Sequence, residues 1–334
     1  MKKELTIKDV AQRGNVSIAT VSRVLNSNGR VSEATRRKIL KIVDDMSYVQ
    51  NNLAVSMVIK KTNILVVMVP DIFTRFYAEV IQGAEGVAKE AGFSTLVFST
   101  KSDSKEEMDF LNGRFNKMVD GVVAIPSTNN PNVYKNFTKP IILIDRYIEG
   151  LGYDGVVIDN FGGSYNITQH LIKKGHRKIA LITGPNDLNV GKERLWGYQQ
   201  AHRDNGVELN QDYCFIGDWY EDNGYESVKK ILSLSDRPTA IYAANCSICD
   251  GVIKAFHDYN VSIYHDISLV GFDNTVLTEF VTPKVTVVNR PTFEMGKVAT
   301  QMLIDKINKK ETGSQPKKIT LQVEILDRGS VKQL

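Results

Sequence analysis

Two side-chain sets in this 334-residue chain are of types that do redox, metal or acid–base chemistry, and neither forms a complete site. Cys246-Ser247-Ile248-Cys249 has the CxxC spacing, which lowers thiol pKa values where it opens a helix. Only Cys214 stands beside that pair, so the four ligands of a structural zinc site are missing. An odd, low cysteine count fits a reducing compartment and not a disulfide scaffold. Two small, half-buried residues are therefore the reading adopted for Cys246 and Cys249. The five histidines (His170, His176, His202, His257 and His265) contain no zinc-type pair. His170 and His176 flank a helix end, where a surface or capping role is expected. No P-loop, no GxGxxG after a strand, no HExxH and no GxSxG occurs, so no enzyme and no cofactor or metal is expected.

A third set could read nucleic acid. Residues 1–61 carry twelve lysines and arginines against five acidic residues, a surplus of seven. The other 273 residues carry 30 against 33. A basic head on a mildly acidic body points to nucleic acid at the N-terminus only. Within the head, Thr6-Ile7-Lys8-Asp9 reads as a helix start, Val10 and Ala11 supply the apolar side, and Gly14 is expected to break the helix. Ser17 caps a second helix, Ile18 to Leu25, with Val21, Val24 and Leu25 inward. After the turn cluster Asn26-Ser27-Asn28-Gly29, Ser32 opens a third helix with Ile39, Val43 and Met46 on one face. Two short helices around a tight turn make a helix-turn-helix, whose second helix can enter the major groove. Its outward residues are Ser17, Ile18, Ala19, Thr20, Ser22, Arg23 and Asn26. Arg23 suits bidentate pairing with guanine and Ile18 and Ala19 suit thymine methyls, whereas Ser17, Thr20 and Ser22 suit phosphates. Spacing alone also fits a three-helix bundle with solvated polar faces.

From Asn63 onward, apolar runs alternate with amphipathic helices. Ile64–Val69, Thr95–Ser99, Gly121–Ile125 and Ile141–Ile144 read as buried parallel strands of a first half. Lys178–Thr183, Thr239–Ala243 and Ile267–Val270 serve a second. The spacing predicts βαβ units and two doubly wound sheets. An echo supports two lobes: Gly83 and Gly92 flank one segment, and Gly197 and Gly206 repeat the nine-residue interval. The longest apolar run, Ile64 to Val69, is too short to span a bilayer. No signal-peptide pattern follows Met1-Lys2-Lys3-Glu4-Leu5, so a cytoplasmic protein with no membrane role is expected.

The residues Thr6-Ile7-x-Asp9-Val10-Ala11, Val16-Ser17-x-Ala19-Thr20-Val21-Ser22-Arg23-Val24-Leu25-Asn26 and Val31-Ser32-x-x-Thr35-Arg36, with Tyr48, resemble the headpiece of the lactose-repressor family of bacterial regulators. The resemblance continues through Val157-Ile158-Asp159-Asn160, Gly175-His176-Arg177-Lys178-Ile179-Ala180, Arg194-Leu195-x-Gly197-Tyr198, Arg237-Pro238-Thr239-Ala240-Ile241 and Asp266-Ile267-Ser268-Leu269-Val270-Gly271-Phe272-Asp273. It covers almost the whole chain, and the body is also similar to bacterial periplasmic sugar-binding proteins. It implies an α/β protein with an N-terminal all-α helix-turn-helix headpiece (1–49) and a hinge helix and linker (50–61). A two-lobed periplasmic-binding-protein-like body with two doubly wound parallel sheets follows (62–334). Lobe 1 takes about 62–160 and 291–320, and lobe 2 about 161–290 and 321–334. Thr6 and Ala54 join the DNA-facing set by the same resemblance, and Met57 stands where a leucine wedge enters the minor groove. Gln50 and Val55 depart from the family's proline and arginine, which weakens the expected hinge contacts.

The resemblance also places an effector cleft at the carboxyl ends of the strands. Asp145, Arg146, Arg194 and Asn245 are carried over to it, as are Asp273, Arg290, Trp219 and Phe76. The carboxylates and the amide are expected to accept from hydroxyls and the arginines to donate, with Trp219 stacking on a sugar's C–H face. The implied protein is a homodimeric transcription regulator, a repressor of sugar uptake or catabolic genes. It binds a near-palindromic double-stranded operator and is controlled by a small sugar. The alternative is a regulator of the same fold controlled by a protein corepressor or a non-sugar metabolite.

Overall fold

Capping and 3–4 periodicity account for the N-terminal helices, and a computed structural model of the chain describes residues 5–25, 29–48, 61–308 and 315–334. The chain divides into two compact units, Met1–Thr62 and Asn63–Leu334. In the first lie α1 (Ile7–Gly14), α2 (Ile18–Leu25) and α3 (Glu33–Asp45). The Asp9 carboxylate accepts from the Thr6 N–H and the Thr6 hydroxyl, each at 2.7 Å. Ser17 Oγ takes the Thr20 N–H at 3.1 Å, and Ser32 Oγ takes that of Thr35 at 3.2 Å. One expectation changes: α1 runs through Gly14, and the left-handed turn residue is Asn15 (φ 50°), whose short polar side chain tolerates that conformation. Val10, Ala11, Val21, Val24, Ile39 and Tyr48 close a small core, with Val43 and Met46 packed at its edge. Asn26 and the hinge residues Gln50, Ala54, Val55 and Met57 lie outside the described residues.

The second unit is built on two six-stranded sheets. One holds β1 (Ile64–Val69), β2 (Ser94–Ser99), β3 (Gly121–Ala124), β4 (Ile141–Ile144), β5 (Asp154–Ile158) and, late in the chain, β11 (Lys318–Leu321). The other holds β6 (Ile179–Thr183), β7 (Cys214–Ile216), β8 (Ala240–Ala243), β9 (Ser268–Phe272), β10 (Thr286–Asn289) and β12 (Glu324–Leu326). Spatial order is β11-β5-β4-β3-β1-β2 and β12-β10-β9-β8-β6-β7, parallel throughout except β12 on β10. The chain therefore passes between sheets after β5, after β10 and after β11. Helices α4 (Arg75–Glu90), α5 (Ser104–Asn112), α6 (Asn160–Lys173) and α7 (Asn189–Asp204) are followed by α8 (Glu221–Ser233), α9 (Cys246–Asp258), α10 (Val276–Phe280) and α11 (Thr292–Ile307). Strands β3, β4, β5, β6, β8 and β9 are buried at every position, as parallel strands covered on both faces must be. The reading of Thr95–Ser99 as buried is corrected: β2 is an edge strand, with Leu96 and Val97 about two-fifths exposed.

The glycine echo has a steric basis. A Cβ on Gly83 would lie 2.1 Å from the Phe293 carbonyl oxygen, and one on Gly296 2.1 Å from that of Val80, so α4 and α11 meet backbone to backbone. Gly197 plays the same part between α7 and α6, 2.4 Å from the Phe161 carbonyl oxygen. Gly92 and Gly206, at φ +78° and +60°, follow the helix ends where only a residue without Cβ is unstrained.

Candidate functional site

The strand ends β4 and β9 are built alike. Each is followed by an aspartate in the left-handed region, Asp145 at φ 63° and Asp273 at φ 79°. Each aspartate N–H donates to the neighbouring strand, Asp145 to Val156 O at 2.9 Å and Asp273 to Val288 O at 2.8 Å. That turn sends both carboxylates to Arg290, which ends β10. Arg290 Nη1 donates to Asp145 Oδ1 at 2.6 Å, Nη2 to Asp273 Oδ2 at 2.6 Å, and Nε to Asp273 Oδ1. The three side chains are nearly inaccessible to solvent, and the Phe76 ring lies 3.7 Å from the guanidinium carbon. Burial opposes the Arg290 charge, but Asp273 and Asp145 hold its pKa above the ordinary arginine value. Arg290 thus ties an aspartate of one sheet to an aspartate of the other.

Among the described residues Arg194, buried on α7, has no carboxylate hydrogen-bond partner. Its Nε donates to Asn160 Oδ1 at 2.9 Å and its Nη1 to Ala244 O at 2.6 Å, and its guanidinium stacks 3.7 Å over Phe272. Burial first, and then repulsion from Arg290, push its pKa down. Arg146 is buried beside Asp145; its Nη1 donates to Pro126 O at 2.9 Å and its Nε has no partner. The Trp219 indole packs against Gly184, where a Cβ would approach to 2.2 Å, and its Nε1 is buried without a partner.

All eight effector-cleft residues named from the sequence line one cavity of about 230 Å³. Asp145 and Asp273 already accept from Arg290, so a ligand hydroxyl would meet only their remaining lone pairs. Asn245 is the N-cap of α9: its Oδ1 accepts from the Ile248 N–H at 2.8 Å and its Nδ2 donates to Trp219 O at 3.0 Å, so the amide mainly positions the indole. Sequence reading passed over Asn160, Phe272, Tyr77 and Ser127. Asn160 opens α6 just after β5, a strand-to-helix junction of the kind where α/β ligands bind, and that placement is the one signal that could have marked it.

The reactive-looking residues turn out to be structural. Cys246 and Cys249 are buried, not half-buried; burial pushes the Cys246 thiol up to about 12 and Cys249 well above the usual range. His176 is also buried, against the surface role expected for it. Its Nδ1 pairs with Thr239 Oγ1 at 2.8 Å, and burial lowers its pKa to about 4. Among the described residues no three His, Cys, Asp or Glu side chains gather as a metal site, and no helix is long and apolar enough to cross a membrane.

On the head, Thr6, Ser17, Ile18, Ala19 and Arg23 are exposed, and Thr20 and Ser22 are half-buried. Ile18 is 44% exposed, far more than an aliphatic residue needs for packing.

Residues 6–51 match the family described as bacterial regulatory proteins, lacI family, and residues 168–331 match the periplasmic binding protein-like domain. The HTH-type transcriptional regulator RegA of Clostridium saccharobutylicum is 33% identical over 330 residues, 97% of this chain and 98% of that protein. The structure of the transcriptional regulator CelR in complex with cellobiose is 28% identical, with a TM-score of 0.73 over 98% of this chain and 99% of that one. A LacI family transcriptional regulator from Enterococcus faecium with bound ribose is 26% identical, with a TM-score of 0.74 over 81% of this chain and 99% of that one.

Proposed function

The chain belongs to the lacI family of bacterial regulatory proteins, DNA-binding transcription regulators and not enzymes, and on that premise we propose that it is a homodimeric repressor released or engaged by a small sugar. The observation that carries the effector reading is the cavity. It gathers two strand-end carboxylates, three guanidiniums and the Trp219 indole from both sheets. Forked polar groups beside one flat aromatic suit a polyol with an apolar C–H face. The cellobiose and ribose bound by two similar structures support the same class. Because the aspartates belong to different sheets, a ligand that contacts both favours one angle between the lobes, and by linkage favours one DNA-binding state.

In the head, α2 lies in the major groove. Arg23 pairs with guanine, Ile18 and Ala19 meet thymine methyls, and Ser17, Thr20 and Ser22 hold phosphates. Two heads on a two-fold axis read a near-palindromic operator, and Met57 wedges the minor groove between them.

Trp219 reports on the cavity directly. The other tryptophan, Trp196, is 56% exposed on α7 and is removed by Trp196→Phe. In that background a panel of sugars is titrated while tryptophan emission and operator binding are followed. The cognate sugar changes both saturably. A sugar that binds by calorimetry with no change in Trp219 emission moves the effector site elsewhere. Operator affinity that responds to a protein partner and to no sugar replaces the sugar by a corepressor.

A further inference from the structure

Among the described residues, five buried aspartates and arginines line the cavity: Asp145, Asp273, Arg146, Arg194 and Arg290. Cations exceed anions by one. The hydrogen bonds sharpen the imbalance, because both carboxylates bind Arg290 and neither binds the other two arginines. Among the described residues, Arg146 and Arg194 donate to neutral oxygens, those of Pro126, Asn160 and Ala244. The buried acid behind Arg146 does not hydrogen-bond to it. Glu107 accepts from the Tyr134 hydroxyl and from the Ser127 N–H at 3.0 Å, and burial pushes its own pKa up. Among the described residues three donors in the cavity wall, Arg146 Nε, Trp219 Nε1 and the Thr74 hydroxyl, have no hydrogen-bond partner. The other acids of the lining, Asp71, Asp187 and Asp218, are half-buried or exposed, where water screens them.

A buried guanidinium without an anionic partner is costly, and guanidinium forks fit carboxylate and phosphate. Resting on the sugar reading above, we infer that the effector is an anionic sugar derivative, a sugar acid or a sugar phosphate, whose acid group gives Arg146 and Arg194 the hydrogen-bonded anion that Arg290 has taken in Asp145 and Asp273. Its hydroxyls then meet the remaining lone pairs of Asp145 and Asp273, and the half-buried and exposed acids of the lining keep the charged end away from themselves.

The test uses full-length protein, calorimetry and thermal shift at matched ionic strength. Gluconate, glucuronate, glucose 6-phosphate and ribose 5-phosphate are compared with glucose and ribose, and potassium phosphate and sulfate serve as bare anions. An acidic member is expected to bind about tenfold or more tighter than its neutral parent. Arg146→Gln should abolish that advantage, and Arg146→Lys should retain part of it if the glutamine variant does not fold. A phosphate ligand tightens as pH rises through about 6, whereas a carboxylate ligand is flat from about pH 5.5 to 8. A neutral sugar that binds as tightly as its acid overturns this inference and leaves the sugar reading standing. An acid whose advantage survives in both variants overturns it too. If no sugar, acid or bare anion raises the melting temperature, both readings fall.

Discussion

Replacing Arg290 by methionine removes one guanidinium and strands two carboxylates. In the native fold the Arg290, Asp145 and Asp273 side chains are 5%, 7% and 5% exposed, so water cannot take over the lost hydrogen bonds. Removing one partner of a buried ion pair typically destabilises by about 3–5 kcal/mol, because the other charge stays buried and uncompensated. The lost stacking on Phe76 adds about 0.5–2 kcal/mol. For a body of this size each kcal/mol lowers the melting temperature by about 2–4 °C, so a drop of about 7–28 °C is expected. Scanning calorimetry and urea unfolding at pH 7 measure it, and added salt should change it little, since buried pairs are weakly screened. The triple variant Arg290→Met, Asp145→Asn, Asp273→Asn removes every charge and keeps side chains that tolerate the left-handed backbone, and it should recover most of the loss. A single variant within about 1 kcal/mol of the natural protein, or a triple variant no more stable than the single, refutes the view that the triad is one electrostatic unit joining the sheets.

Arg23→Ala should weaken specific operator binding by about 1–3 kcal/mol in a filter or anisotropy assay and random DNA much less; equal losses make Arg23 a phosphate contact only. Gly83→Ala drives a methyl into the Phe293 carbonyl and should destabilise by about 1–3 kcal/mol. Gly86→Ala on the same helix meets nothing within 4 Å and should stabilise by up to about 1 kcal/mol; urea midpoints that move together contradict the helix-contact argument. Burial pushes Asp250 up to about 6 against the bond from Thr275, so the fold holds a proton that the unfolded chain releases near about 3.9. That contribution is complete below about 3.9 and lost as pH rises through about 6. Asp250→Asn should therefore raise stability by about 1–2 kcal/mol at pH 7 and little at pH 4, and a pH-independent gain would place the effect elsewhere.

What could be read from the sequence was local or periodic. Caps such as Ser17 and Ser32 act over three residues, and Val10, Val21, Val24 and Ile39 mark their helix faces by spacing alone. The central strands announce themselves because parallel strands buried on both faces are apolar at every position. The edge strands β11 and β12 carry no such mark: they are three or four residues long, part exposed and partly charged, and only their pairing with β5 and β10 makes them strands. The residues that the resemblance carried to the cleft line one cavity, but the bonds Asp145 and Asp273 make to Arg290, and Asn245 to Ile248 and Trp219, were not legible in it.

The amino-acid order by itself determined the helix-turn-helix, the alternation of strand and helix, the absence of a catalytic motif and the basic head, since each depends on neighbours a few residues apart. Tertiary structure alone decided the electrostatics. Arg290 meets a carboxylate 145 residues away and another 17 residues away; once both are taken, Arg146 and Arg194 have no hydrogen-bonded carboxylate among the described residues. The burial that silences Cys246 and His176 is likewise set by which helices and strands cover them. Charge compensation and desolvation depend on distance and on excluded water, and neither quantity is written in the spacing of residues along the chain.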